Sequence, residues 1–305
     1  MSARQIPLSG VLKLALVALI WGGTFIAGRI ATMEMSPATA ALWRYLIACA
    51  ALVIAAFTLE GGLPRLSQRQ WVAVALLGAT GVFAYNLCFM FGMKTVAAGR
   101  ASLIVALNPA MIMLGSALIL RERIEARNVL GIAIALAGAA IVIGRGNPLA
   151  LLSGAAGTGE ALMFGCALSW MAFTLIAKRV MRGLSPLAMT TYASLLGTVM
   201  LALAVTLTGA EFIPHFSPAG AVALVFLGVL GTAVAFVWFN DGVRVLGPSR
   251  AAVFINLVPV AAVTLGVLLL GETVDAPVIA GGALVVAGVW LLNRAPRVVP
   301  VPAAA

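Results

Sequence analysis

Residues 100–122 read RASLIVALNPAMIMLGSALILRE, and residues 250–272 read RAAVFINLVPVAAVTLGVLLLGE. Arg100, Ala101, Leu107, Pro109 and Glu122 meet Arg250, Ala251, Leu257, Pro259 and Glu272 at one constant shift of 150. The same shift carries Gly78, Gly81 and Gly92 onto Gly228, Gly231 and Gly242, and Gly131 and Gly138 onto Gly281 and Gly288. At a shift of 149, Trp21 meets Trp170 and Ser36-Pro37 meets Ser185-Pro186. One offset held over most of a chain rich in Ala, Gly and Leu marks a duplication.

Each copy of the quoted stretch is an apolar run long enough to cross a bilayer, which takes about 20 residues of helix. Ten such runs follow one another, at about 11–31, 37–58, 71–92, 96–120, 127–145, 157–177, 186–208, 218–240, 247–270 and 276–293. Of 305 residues, 63% are hydrophobic and 9% charged, whereas a soluble domain is about one quarter charged. No water-facing exterior can be built from so few ions, so lipid is the outer solvent. Barrel strands would be half as long and would alternate polar with apolar, which leaves helices. The fold class is therefore an all-α integral membrane protein of ten transmembrane helices. Residues 10–145 hold the first five, residues 157–293 the second five, and residues 294–305 form a tail. Five is odd, so the second copy enters the membrane in the opposite direction from the first. That is an inverted repeat, the arrangement whose two exchanged conformations give alternating access.

The net charge of +10 is scattered between apolar blocks and forms no continuous stripe, which argues against nucleic-acid binding. Its role is orientation. With the N-terminus inside, the cytoplasmic ends hold Arg4, Lys13, Arg65, Arg69, Arg121, Arg123, Arg127, Lys178, Arg179, Arg182, Arg244, Arg250, Arg294 and Arg297. The other side holds Arg29, Lys94, Arg100 and Arg145. This bias predicts both termini in the cytoplasm. The first apolar block lacks a small-residue cleavage site and reads as a retained helix, not a cleaved signal.

The early WGGTFIAGR (21–29), SPATAALWRYLIA (36–48) and the pair NPAMIMLGSALILRERI (108–124) and LVPVAAVTLGVLLLGETV (257–274) resemble the EamA-type drug/metabolite transporter superfamily. The likeness covers about residues 10 to 293. Within it the chain is similar to the YddG-type bacterial exporters of aromatic and other neutral amino acids. The resemblance implies a basket-like bundle in a bacterial cytoplasmic (inner) membrane. It also implies a central cavity contributed mainly by helices one, three, four, six, eight and nine. Its partners would be a small-molecule substrate and the lipid bilayer, with no obligatory protein partner and no cofactor.

Candidate substrate-binding residues come from polar, aromatic or helix-breaking side chains at membrane depth. Pro109 and Pro259 each remove a backbone N–H and release the carbonyl of Val105 or Ile255. Either a substrate ammonium or a neighbouring helix must then satisfy it. Asn108 and Asn256 beside them, and Asn86 beside Tyr85, are costly in lipid unless they face the bundle interior. There they serve as interhelical ties or as substrate contacts. Trp21 and Trp170 fall near the midpoints of their spans, where they either line a cavity or simply pack. Arg44 is the one charge well inside a span, and either pairs across the bundle or snorkels to the outer surface.

Enzyme chemistry is not supported. The single histidine, His215, lies in an outer loop, so neither a serine–histidine pair nor a zinc site can be assembled. Cys49, Cys88 and Cys166 lie in apolar blocks without a CxxC spacing, and no metal site is expected. No phosphate-binding loop is present, and no carboxylate sits at a midplane position where it could carry a coupling proton.

Overall fold

The structure, a computed structural model, describes residues 8–121, 125–148, 157–180, 183–246 and 248–293. Glu122, Arg123, Arg182 and the termini, with Arg4, Arg294 and Arg297, lie outside the described residues. Among those described, ten helices are long and apolar enough to cross a membrane. Helix 1 is Leu8–Glu34, helix 2 Pro37–Glu60, helix 3 Gln68–Met93, helix 5 Ala126–Ile143, helix 6 Thr158–Val180, helix 7 Pro186–Thr208, helix 8 Pro218–Leu246 and helix 10 Ala276–Asn293. Helix 4 comes in two pieces, Ala98–Val105 and Asn108–Leu120, and helix 9 likewise, Pro248–Ile255 and Leu257–Leu270. Each break falls just before its repeat-equivalent proline, as the missing N–H requires. Helices 3 and 8 begin and end beyond the expected spans at one end each, at Gln68 and Leu246.

Local chemistry fixes the helix ends in matching pairs. The Ser36 hydroxyl accepts the Thr39 N–H at 3.1 Å and the Ser185 hydroxyl the Ala188 N–H at 3.0 Å, each with a proline at the first helical position. The outer surface of the bundle is apolar, with Ile54, Phe57, Leu118 and Leu268 among its exposed side chains. In water these would be a liability; in hydrocarbon they are the solvated face.

Packing repeats the duplication. Helix 1 crosses helices 8 and 9 as helix 6 crosses helices 3 and 4, while helix 2 lies along helix 7 and helix 5 along helix 10. Between helices 5 and 10 the backbones touch. A Cβ on Gly138 would stand 2.5 Å from the Gly281 carbonyl oxygen, and one on Gly281 2.6 Å from the Gly138 oxygen. Such close approach is how apolar helices bind each other where the hydrophobic effect is silent. Helices 3 and 8 share a second feature, a π-helical stretch at Gly78–Ala84 and at Phe226–Val234. The wider turn lets Gly78 lie against the backbone of helix 7, at Ala193, and Gly228 against that of helix 2, at Arg44. The ends are named by the charge bias: the inner end carries Lys13 and Arg244, the outer end Glu34 and Glu272.

Gly138→Val and Gly281→Val should each lower stability by about 1–3 kcal/mol through overpacking against backbone that cannot yield. Thermal unfolding of detergent-purified protein checks this. Leu136→Ala on the lipid-facing side of helix 5 should shift the midpoint far less.

Candidate functional site

A cavity of about 580 Å³ opens at the inner end between helices 1, 2, 7 and 8. Lys13, Glu60, Asp241 and Arg244 stand at its mouth, Leu52, Leu187 and Thr190 on its walls, and Phe236 at its deep end. Phe236 is ten residues from the inner end of helix 8, about 15 Å along the axis and close to the membrane midplane. Helices 2 and 7 thus line the open part where helices 3, 4, 6 and 9 were expected. None of its described lining residues comes from helix 3, 4, 6 or 9, and Phe236 is its aromatic ceiling.

That ceiling gathers three of the candidate residues. Phe236 meets Trp21 edge-on at 6.1 Å and Trp170 at 6.4 Å between ring centroids. Trp170 in turn meets Tyr85 at 5.7 Å and stacks on Phe173 at 5.0 Å, and Tyr85 stacks on Phe89 at 6.1 Å. Trp21 also contacts Phe239 at 5.2 Å. The result is a continuous aromatic wall across both repeats, tying helices 1 and 8 to helices 3 and 6. Such rings offer flat apolar faces and edges for a bulky apolar group.

Trp21 has a second task. Its indole N–H donates to the Gly231 carbonyl at 3.2 Å, in the π-helical stretch of helix 8, where the regular ladder is disturbed. The Thr232 hydroxyl donates to the Leu227 carbonyl of the same stretch at 2.9 Å. Asn86 is fully buried and spends its amide N–H on the Val82 carbonyl at 2.7 Å, one turn back, leaving its side-chain oxygen without a partner. Asn108 and Asn256 likewise keep one buried amide atom each without a partner. Among the described residues, none of them or their prolines makes a hydrogen bond to the aromatic wall, but the helix breaks that carry them pack on its helices 1 and 6. Leu107 and Ala110, flanking Asn108 and Pro109, pack with Ala167 and Met171 of helix 6 and with helices 5 and 10; Ile255, beside Asn256, borders a small cavity with Trp21, and Val258, beside Pro259, lies against Gly22 of helix 1.

Two residues that matter here were not singled out from the sequence as site residues. Phe236 has Asn86 as its counterpart at the shift of 150, so the repeat conceals it. Arg44 remains inside the bundle, 7% exposed, and reaches across it to the Thr232 hydroxyl at 3.5 Å, so it does not snorkel.

At the outer end the helices are tied together. The Glu272 carboxylate accepts the N–H groups of Ala98 (2.6 Å) and Gly99 (3.0 Å), capping helix 4. Arg100 pairs with Glu160 at 3.2 Å, and Arg29 donates to the Met93 carbonyl at 2.6 Å. The Glu34 carboxylate holds the Ser217 N–H and hydroxyl at 2.9 and 2.7 Å. The cavity thus lies at the end opposite these ties.

Comparison with known proteins shows the family. The model of the EamA-like transporter family matches residues 8–144 and again residues 157–294. The chain belongs to this family. Among its relatives is the probable terminal-alkyne amino-acid exporter of Streptantibioticus cattleyicolor, 31% identical over 286 residues that cover 93% of each chain. The uncharacterized transporter YyaM of Bacillus subtilis is 26% identical, covering 92% of each. The uncharacterized inner membrane transporter YicL of Salmonella typhimurium is 23% identical, covering 93% of this chain and 95% of that one. A crystal structure superposes with a TM-score of 0.65 at 22% identity, over 93% of this chain and 96% of the other, which speaks for the fold. The protein is a multi-pass membrane transporter of the EamA-like family, a family that is generally non-enzymatic.

The two tryptophans, equivalent in sequence, differ in bonding. Trp21→Phe keeps a ring but removes the indole hydrogen bond to the Gly231 carbonyl, and should cost about 0.5–1.5 kcal/mol. Trp170→Phe removes no indole hydrogen bond to a described residue and should cost clearly less. Paired thermal-unfolding curves of the two variants measure the difference.

Proposed function

We propose that the protein moves small, largely neutral metabolites, with aromatic and other hydrophobic amino acids foremost, out of the cytoplasm by alternating access, rocking one five-helix repeat against the other. The observation that carries this reading is the cavity itself. Its size suits a metabolite, its mouth is polar, and it ends near the midplane on Phe236, behind which stand the Trp21, Trp170 and Tyr85 rings. The amino-acid exporter among the relatives, 31% identical, favours the same substrate class. So does the similarity to YddG-type exporters. The membrane in this reading is a bacterial inner membrane with both termini in the cytoplasm. The charge bias of the helix ends supports that sidedness, and one relative named an inner membrane transporter supports the membrane.

Asn108, Pro109, Asn256 and Pro259, which do not line the inner cavity, belong in this reading to the breaks of helices 4 and 9. They would meet substrate when the repeats exchange conformations. Asn86 meets it through its neighbour Tyr85.

Energy coupling follows from the same residues. The aromatic wall holds no carboxylate and no histidine, and an arginine does not release its proton. Glu160 is engaged with Arg100 at the outer end. The protein should therefore carry substrate down the substrate's own gradient.

In proteoliposomes, purified protein should equilibrate radiolabelled phenylalanine, tryptophan and leucine without an imposed pH gradient. Phe236→Ala should lower flux of the aromatic substrates by about tenfold, the rate equivalent of about 1.4 kcal/mol, with a smaller effect on alanine. Flux of amphipathic drugs in place of amino acids would reassign the substrate. Concentrative uptake driven by a pH gradient and abolished in Glu160→Gln would replace facilitation by antiport.

A further inference from the structure

We propose that Arg44 is the anchor for a substrate carboxylate, so that the ligand is a monocarboxylate with an apolar or aromatic body; this rests on the transport reading but not on the ligand being an amino acid. Arg44 lies two turns into helix 2 from Pro37, about 10 Å from the outer end, and is 7% exposed. Its guanidinium carries five N–H donors. One is engaged, Nη2 to the Thr232 hydroxyl, at 3.5 Å and thus at the weak limit of a hydrogen bond. Nε is buried with no partner. None of the ion pairs of the described residues includes Arg44. The rings of Tyr45 and Phe89 lie 5.6 and 5.8 Å from its central carbon.

Burying an unpaired cation costs more than two aromatic faces and one long hydrogen bond recover. The missing contribution has the shape of an anion. A carboxylate meets a planar guanidinium through two parallel hydrogen bonds, which would engage Nε and one terminal N–H together.

Placement makes that anion a substrate group. Thr232 is one helical turn outward from Phe236, the ceiling of the inner cavity, and Phe89 is one turn from Tyr85, which touches Trp170. A ligand with its carboxylate on Arg44 would rest its apolar body on the aromatic wall. One arginine balances one negative charge; phosphate esters, with two, would leave a charge unmatched. Arg44 has Ala193 as its counterpart at the shift of 149, so this anchor exists once, fixing one orientation for the ligand.

The test is competition and flux in proteoliposomes with phenylalanine, phenylalaninamide, tryptamine and 3-phenylpropionate. Wild-type protein should prefer the carboxylates over phenylalaninamide and tryptamine by at least about tenfold. Arg44→Gln should erase that preference, and Arg44→Lys, which keeps the charge without the planar fork, should restore part of it. An Arg44→Gln variant that folds and keeps the wild-type ratio of acid to amide overturns the proposal. Should that variant not fold, wild-type protein alone decides, because phenylalaninamide competing as well as phenylalanine also overturns it. Transport of 3-phenylpropionate without any amino acid would sink the amino-acid reading and leave the Arg44 anchor standing. Equal transport of amino acids and their amides would do the reverse.

Discussion

A backbone N–H or C=O in hydrocarbon has no water to bond, and this one constraint organises the molecule. It restricts the spans to helices and makes each departure from the helical ladder expensive. The departures here come in repeat-equivalent pairs, the breaks of helices 4 and 9 and the π-helical stretches of helices 3 and 8. Each is tolerated because it is enclosed by protein. In helix 8 the carbonyls of Gly231 and Leu227 also accept hydrogen bonds from the Trp21 indole and the Thr232 hydroxyl. The side chains that make these bonds are thereby placed beside the deep end of the cavity. The bonds and the site share residues, which is why Trp21 bears on both stability and transport.

The glycines show why the fold was legible in the sequence. Gly138 and Gly281, or Gly78 and Gly228, are held where a Cβ would strike another helix's backbone. Their spacing therefore survives divergence of the apolar residues around them, and it carried the constant shift from which duplication, helix count and inversion all follow. Much of the site was not legible for the converse reason. Phe236 faces Asn86 across the repeat, Arg44 faces Ala193, and Thr232 faces Val82, so the functional interior is where the copies differ. Trp21 and Trp170 are the exception, and they were found because they match. The π-helical turns left no readable mark, since Gly78–Ala84 and Phe226–Val234 are as apolar as any helical stretch of this chain.

Divergence also separates the two mouths. The inner one carries Lys13 and Asp241, bonded at 3.0 Å, with Arg244 on the same carboxylate at 3.2 Å. The counterparts of Lys13 and Asp241 in the other copy are Leu162 and Phe91. An inward-open mouth is thus charged and wettable, whereas the surface that would line an outward-open one is more apolar.

Such asymmetry changes rates, not the balance point. A carrier with no coupled ion must reach equal substrate activity on both sides, because any difference in affinity between its two mouths is cancelled by the free-energy difference between its two empty conformations. What the charged inner mouth does alter is the resting population, and with it the flux at a given gradient. Wetting and paired charges favour the inward-open form, tied at its outer end by Glu272, Arg100 and Glu34. A carrier resting in that form waits for cytoplasmic substrate. In the proposed reading export would result from metabolism keeping that substrate more concentrated inside, and the direction of transport would be a property of the cell that the fold merely permits.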